Sequence, residues 1–206
     1  MRRLTIAALF IAALPAAASA ASDLSSSLRA LSPDSFQSKT AVLDDPLESN
    51  VIFSTEKAHR EGWKLFKPTG HDNHLVAQVD RQTGQAQFQV KHALRYYGTP
   101  RDYHAANYVA DGAVRQVPLS EARHGNDVCP MTENMLECSL SKYMAFTLSE
   151  QDVRAIAAQY QPGAANSWGF KMKDRTGHDI VSAIAPAEAA GLLRAVDQYR
   201  ASTNRS

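Results

Sequence analysis

Leu75-Val-Ala-Gln-Val-Asp80-Arg-Gln-Thr-Gly84-Gln-Ala-Gln-Phe-Gln-Val90-Lys-His-Ala-Leu-Arg-Tyr96 decides the fold. Before the turn, Leu75, Ala77 and Val79 alternate with Val76, Gln78 and Asp80. After it, Ala86, Phe88, Val90, Leu94 and Tyr96 hold one parity, and Gln85, Gln87, Gln89, Lys91 and Arg95 hold the other. A period of two with one wet face is the pattern of an antiparallel strand pair lying on a core. A four-residue loop pairs Asp80 with Gln85. Val79 then faces Ala86, Ala77 faces Phe88 and Leu75 faces Val90. All three pairs are apolar, and a slip of one residue would turn them all to water. Gly84 supplies the left-handed conformation such a loop needs.

A second hairpin follows the same logic. Trp168, Phe170 and Met172 alternate with Ser167, Gly169, Lys171 and Lys173, and the turn is Arg175-Thr-Gly177. A three-residue loop sets Met172 opposite Ile180 and Trp168 opposite Ile184. Further strands are predicted near 51–55, 103–109, 113–119 and 138–148. In the last, Leu140, Met144, Phe146 and Leu148 share a face, and Pro118 marks an edge. Ser149-Glu-Gln-Asp152 is a helix N-cap signal; behind it Val153, Ile156, Ala157 and Tyr160 form an apolar stripe, stopped by Pro162-Gly163. The last helix starts at Pro186, carries its stripe on Ala189, Leu192, Leu193, Val196 and Tyr199, and turns Glu188, Arg194, Asp197 and Gln198 outward. The expected fold class is α+β. It has an antiparallel sheet of about six to eight strands, a helix near 149–160 and a C-terminal helix near 186–200 packed on one face.

The chain ahead of these elements reads differently. Arg2-Arg3, the apolar run Leu4–Leu14, Pro15 and Ala18-Ser-Ala20 form a cleavable export signal over 1–20. The apolar run is shorter than the roughly 20 residues a spanning helix needs, so no transmembrane segment is expected in the mature chain. Residues 21–50 are rich in Ser and Asp, with Leu24, Leu28 and Leu31 at helical spacing before Pro33. They predict a short helix or a loosely packed arm, and 51–206 a single α+β domain. The expected location is periplasmic or secreted. In that setting Cys129 and Cys138 read as a disulfide stapling the base of a loop. The chain-entropy estimate for so short a loop is about 2.5–3 kcal/mol. A redox pair or metal ligands are the alternatives, but the spacing is not Cys-x-x-Cys.

The net charge of +1, from 22 basic and 21 acidic residues, argues against nucleic acid as a partner. No Gly-x-Ser-x-Gly, His-Glu-x-x-His, phosphate loop or dinucleotide fingerprint occurs, and no cofactor is expected. Ser139-Leu-Ser-Lys142 matches Ser-x-x-Lys in letters only, because that motif works on a helix and the alternation here predicts a strand.

Two constellations remain. His71-Asp-Asn-His74, with His92 on the next strand, is a candidate metal site. In an extended chain His71 and His74 point to opposite faces. His92 has the parity of Phe88 and Val90 and so points to the core, with Asn73 opposite as its partner. The bland reading is a set of structural or solvent-exposed histidines. The second constellation is the run from Arg95 to Tyr108, which holds four tyrosines, at 96, 97, 103 and 108. Tyr97 shares the wet parity of Arg95, and Arg101, Tyr103 and His104 follow the Gly98-Thr-Pro100 turn. Exposed Tyr and Arg are the residues a recognition surface uses; the bland reading is that Tyr favours strands. The expected function is therefore an exported, noncatalytic binding domain for a protein, peptide or glycan, through Arg95, Tyr97, Arg101, Tyr103 and His104. A hydrolase with a fold-assembled site and a His-based metal protein are the alternatives.

Overall fold

The computed structural model describes residues 24, 26–58, 70–125, 138–164 and 166–203. The predicted signal segment 1–20, Cys129 and the side chain of His71 lie outside them. In chain order the elements are α1 (Ser26–Arg29), α2 (Pro33–Lys39), β1 (Ala41–Leu43), β2 (Asn50–Ser54), β3 (Gly70–Asp80), β4 (Ala86–Tyr97), β5 (Tyr103–Ala110), β6 (Ala113–Pro118), β7 (Glu121–His124), β8 (Ser139–Leu148), α3 (Glu150–Ala157), β9 (Trp168–Asp174), β10 (Ile180–Ile184) and α4 (Pro186–Thr203).

The fold is α+β, with the strands in two antiparallel sheets rather than one. The larger has the order β1-β2-β3-β4-β8-β7 and the smaller β10-β9-β5-β6. Both hairpins take the expected register: Val79 with Ala86, Ala77 with Phe88 and Leu75 with Val90 in β3–β4, and Met172 with Ile180 and Trp168 with Ile184 in β9–β10. At the first turn Asp80 Oδ1 accepts from the Gln82 and Thr83 amides at 3.0 and 2.8 Å, and Gly84 has φ +66°. β6 is an edge strand ending at Pro118.

The apolar faces of the two sheets share one core. Phe146 of β8 meets Phe170 of β9 at 5.3 Å between ring centroids and Tyr108 of β5 at 6.1 Å. The end of the large sheet's inner face nearest β2 and β3 is covered by α4, with Tyr199 edge-on to Phe53 at 5.6 Å. α3 is tied to α4 by Arg154–Asp197 at 2.9 Å and Arg200–Glu150 at 3.0 Å. At the N-terminus Leu24, Leu28 and Phe36 pack with Ala183, Ala185 and Ala187, and Pro33 both ends α1's segment and opens α2.

α3 opens at Ser149. Its Oγ accepts from the Asp152 amide at 3.0 Å and lies 2.6 Å from Asp152 Oδ2, to which it donates. Ser149→Ala removes both contacts. It should cost about 1 kcal/mol, within the usual 0.5–2 for a lost N-cap, as read by the urea midpoint; an unchanged midpoint would mean the cap bears no weight.

One helix position reverses the expectation. The stripe of α4 predicts Glu188 facing outward, but it is only 4% exposed. The first turn of α4 is inserted against the end of β2 and against β3, so a position that the stripe places outside is covered by strands distant in sequence. Thr55 Oγ1 and the Leu75 amide meet Glu188 Oε1 at 2.6 and 3.0 Å.

Candidate functional site

The outer face of the large sheet, where β4, β8 and β7 lie side by side, carries Arg95 and Tyr97, two of the five residues predicted for recognition. Register assigns its rows. Lys91 is beside Ala145 and Glu121; Ala93 is beside Tyr143 and Arg123; Arg95 is beside Ser141; Tyr97 is beside Ser139. On the middle strand, β8, Ser139, Ser141 and Ala145 are small and Tyr143 is the large side chain among them. Tyr97 is 50% and Tyr143 39% exposed. Arg123 lies over the Tyr143 ring with its guanidinium carbon 4.5 Å from the centroid. Glu121 joins Lys91 and Arg123, each at 2.6 Å. Hydrogen bonds from these two cations hold its carboxyl below the usual carboxylate range, despite some burial.

The residues after Tyr97 do not share this face. At Gly98-Thr-Pro100 the chain leaves the large sheet for the small one, so Arg101, Tyr103 and His104 belong to a different surface. Arg101 packs over Tyr96 at 4.5 Å and donates to the Tyr103 hydroxyl at 3.2 Å. That hydroxyl donates to the His178 carbonyl at 3.0 Å. Tyr103 is only 2% exposed, against the expectation of a surface ring, and burial raises its phenol pKa. His104 is half-buried on β5, where its carbonyl accepts from the Leu119 amide at 3.1 Å. Lys142, on the inner face of β8, is buried and donates to the Arg101 carbonyl at 2.9 Å. Arg101 and Tyr103 thus anchor the crossover between sheets. Of the five predicted binding residues, Arg95 and Tyr97 stand on the patch, and Arg123 and Tyr143 join them there. Tyr143 was legible as the wet parity of its strand; Arg123 lies on a strand the sequence did not reveal.

The histidines separate in the same way. His92 is buried, with Nδ1 against Asn73 Oδ1 and its ring edge-on to Phe170 at 6.0 Å. His74 lies on the opposite face of β3, where burial lowers its pKa, Glu56 raises it and Lys91 lowers it further. Among the described residues no three His, Cys, Asp or Glu side chains converge on one point. Cys138 stands just before β8, packed against the core.

A cleft of about 80 Å³ opens beside α3, lined by Tyr108, Gln151, Asp152, Ile156, Gln159 and Trp168. Its carboxylate is engaged from several sides. Asp152 takes the Ser149 hydroxyl at 2.6 Å, with the Tyr108 hydroxyl and Arg115 both at 3.4 Å. Burial, and then the Asp152 charge, raise the Tyr108 phenol pKa. A phenol shifted upward is a poorer base at neutral pH. These contacts fasten α3 to β5 and β6. Among the described residues no helix is long and apolar enough to cross a membrane. Comparisons with protein-family models, with curated proteins and with solved structures found no match for this chain.

Proposed function

We propose that this protein is an exported, noncatalytic binding domain that captures an acidic polypeptide segment on the outer face of β4, β8 and β7. The carrying observation is the pair of exposed rings, Tyr97 and Tyr143, set among Lys91, Arg95 and Arg123, with Glu121 the carboxylate among the described residues of these three strands and Asp72 on the adjoining β3. Solubility alone asks only for residues such as Gln87 and Gln89. Exposed rings beside guanidinium groups offer area that is useful when something covers it. Arg123 is already stacked on Tyr143, so little side-chain freedom remains to be lost on binding. The excess of cations selects acidic partners and draws them in, more strongly at low salt.

In the cleft beside α3, the Asp152 carboxylate that a hydrolase would use is already engaged by a hydroxyl, a phenol and a guanidinium. A metal protein would have to recruit histidines that lie on opposite faces of β3 and β4. The binding reading needs no such rearrangement.

The test is selection of short random peptides displayed against the protein, followed by titration of the winners. Winners should be enriched in Asp and Glu, and raising the salt should weaken them. Tyr97→Ala or Arg123→Ala should weaken binding about tenfold or more while shifting folding stability by no more than about 0.5–1 kcal/mol. Selected peptides without acidic bias, or unchanged binding to both variants, would remove the proposal. Large destabilisation by both would assign the rings to packing.

A further inference from the structure

Among the described residues, Glu188 is a carboxyl group with no cation in its hydrogen-bonded set. It sits in the first turn of α4, 4% exposed, between the end of β2 and β3. The Leu75 amide donates toward both Thr55 Oγ1 at 2.9 Å and Glu188 Oε1 at 3.0 Å. Thr55 Oγ1 lies 2.6 Å from Glu188 Oε1 and 3.1 Å from the Leu75 carbonyl oxygen. A threonine hydroxyl has one proton. With Glu188 ionised, that proton serves one of the two oxygen–oxygen contacts and the other has none. With Glu188 protonated, its own O–H donates to Thr55 and the Thr55 O–H donates to the Leu75 carbonyl. Each short contact then contains a hydrogen.

We propose that Glu188, Thr55 and the Leu75 amide form a proton-operated latch: the protonated carboxyl binds the first turn of α4 to β2 and β3, and its ionisation loosens that junction. The surroundings agree. Burial pushes the carboxyl up to about 7, and the Asp72 charge on β3 adds to this; the bonds from Thr55 and Leu75 pull the other way. The helix N-terminus also favours the anion, and burial outweighs it. Glu56, beyond β2, and Lys91 of β4 act on His74 of β3. β10 brings no titratable side chain.

The sign follows from proton counting. A carboxyl that ionises near 4.5 when unfolded and near 7 when folded binds more protons in the folded state between those values. Its stabilisation is full below about 4.5 and lost as pH rises to about 7. His74 runs oppositely: with its folded pKa lowered from 6.5, it favours folding more as pH rises toward 6.5. Comparing the wild type with Glu188→Gln removes that background, and Gln keeps an acceptor at Oε1.

The experiment follows the Glu side-chain carboxyl signals of the wild type by NMR against pH, with Glu188→Gln as the assignment control. It also measures unfolding equilibria and Leu75 amide exchange for both proteins. One carboxyl signal, absent from the variant, should titrate near 7. Between pH 4.5 and 7 the wild type should lose about 100-fold more in its folding constant than the variant. Leu75 protection, corrected for intrinsic exchange, should fall above pH 7 in the wild type alone. A Glu188 midpoint near 4.5, or the same pH dependence in both proteins, overturns the latch.

Discussion

Replacing Phe146 by Ala should cost about 3–5 kcal/mol, the range for emptying a buried phenylalanine site. The side chain is fully buried in β8, opposite Val90 of β4. Its ring also bridges the two sheets, 5.3 Å from Phe170 and 6.1 Å from Tyr108. Neither neighbour can follow the loss inward, because each is fixed in its own ladder and Tyr108 also touches Trp168 at 5.4 Å. The cavity therefore stays open, and its cost adds to the lost transfer energy. Domains have about 5–15 kcal/mol in total, so the variant should sit near its unfolding threshold at room temperature. Phe146→Leu, which leaves most of the volume filled, should lose less. Urea unfolding with an unchanged slope reads both effects. A loss under about 1 kcal/mol for the alanine variant would mean that the two sheets do not share this core.

Gly191→Ala should destabilise by about 1–3 kcal/mol, although helix propensity alone favours Ala over Gly by about 1 kcal/mol. At this point α2 lies directly on α4. A Cβ at Gly191 would stand 2.5 Å from Phe36 Cβ, 2.7 Å from the Pro33 carbonyl oxygen and 2.9 Å from the Gln37 amide nitrogen. Two of those atoms are backbone, so no side-chain rotation relieves the overlap. α2 has to move as a body, drawing Phe36, now 1% exposed, partly out of its cluster. Limited proteolysis should find new cleavage between 33 and 40 in the variant, together with a lower unfolding midpoint. A variant as stable as the wild type would show that α2 yields freely.

Both predictions depend on contacts between distant parts of the chain, and there the sequence says least. Local features were legible. The Asp80–Gly84 and Asp174–Gly177 turns set their hairpin registers, because alternation and loop length agreed. Ser149 marked the start of α3, because a cap needs only neighbouring residues. Parity alone places His92 in the core opposite Asn73. The pairing of β4 with β8 was not legible, since nothing in either strand names its partner. The split into two sheets escaped for the same reason: β5 follows β4 after a short turn, as a next-door strand would, yet joins β9 and β6 instead. That split is why Arg101 and Tyr103, close to Tyr97 in sequence, do not share its face. The short β1 and β7 carry too few residues for an alternating pattern to emerge. The helical stripe points Glu188 outward because a stripe says nothing about what covers a first turn.

The position of β4 has a consequence for incomplete chains. It is a central strand of the large sheet, yet one of its neighbours arrives early and the other late. β3 immediately precedes it, whereas its other edge is closed by β8, with Phe88 opposite Leu148 and Tyr97 opposite Ser139. Until β8 is present, β4 exposes a long row of unpaired amides and carbonyls above an apolar face holding Phe88, Val90 and Leu94. Such an edge recruits other strands. Closing it requires the ends of a long intervening segment to meet, which is slow compared with hairpin formation. A fragment cut before β8 therefore has the makings of an aggregation seed, and in the intact chain β8 is the strand that removes the hazard.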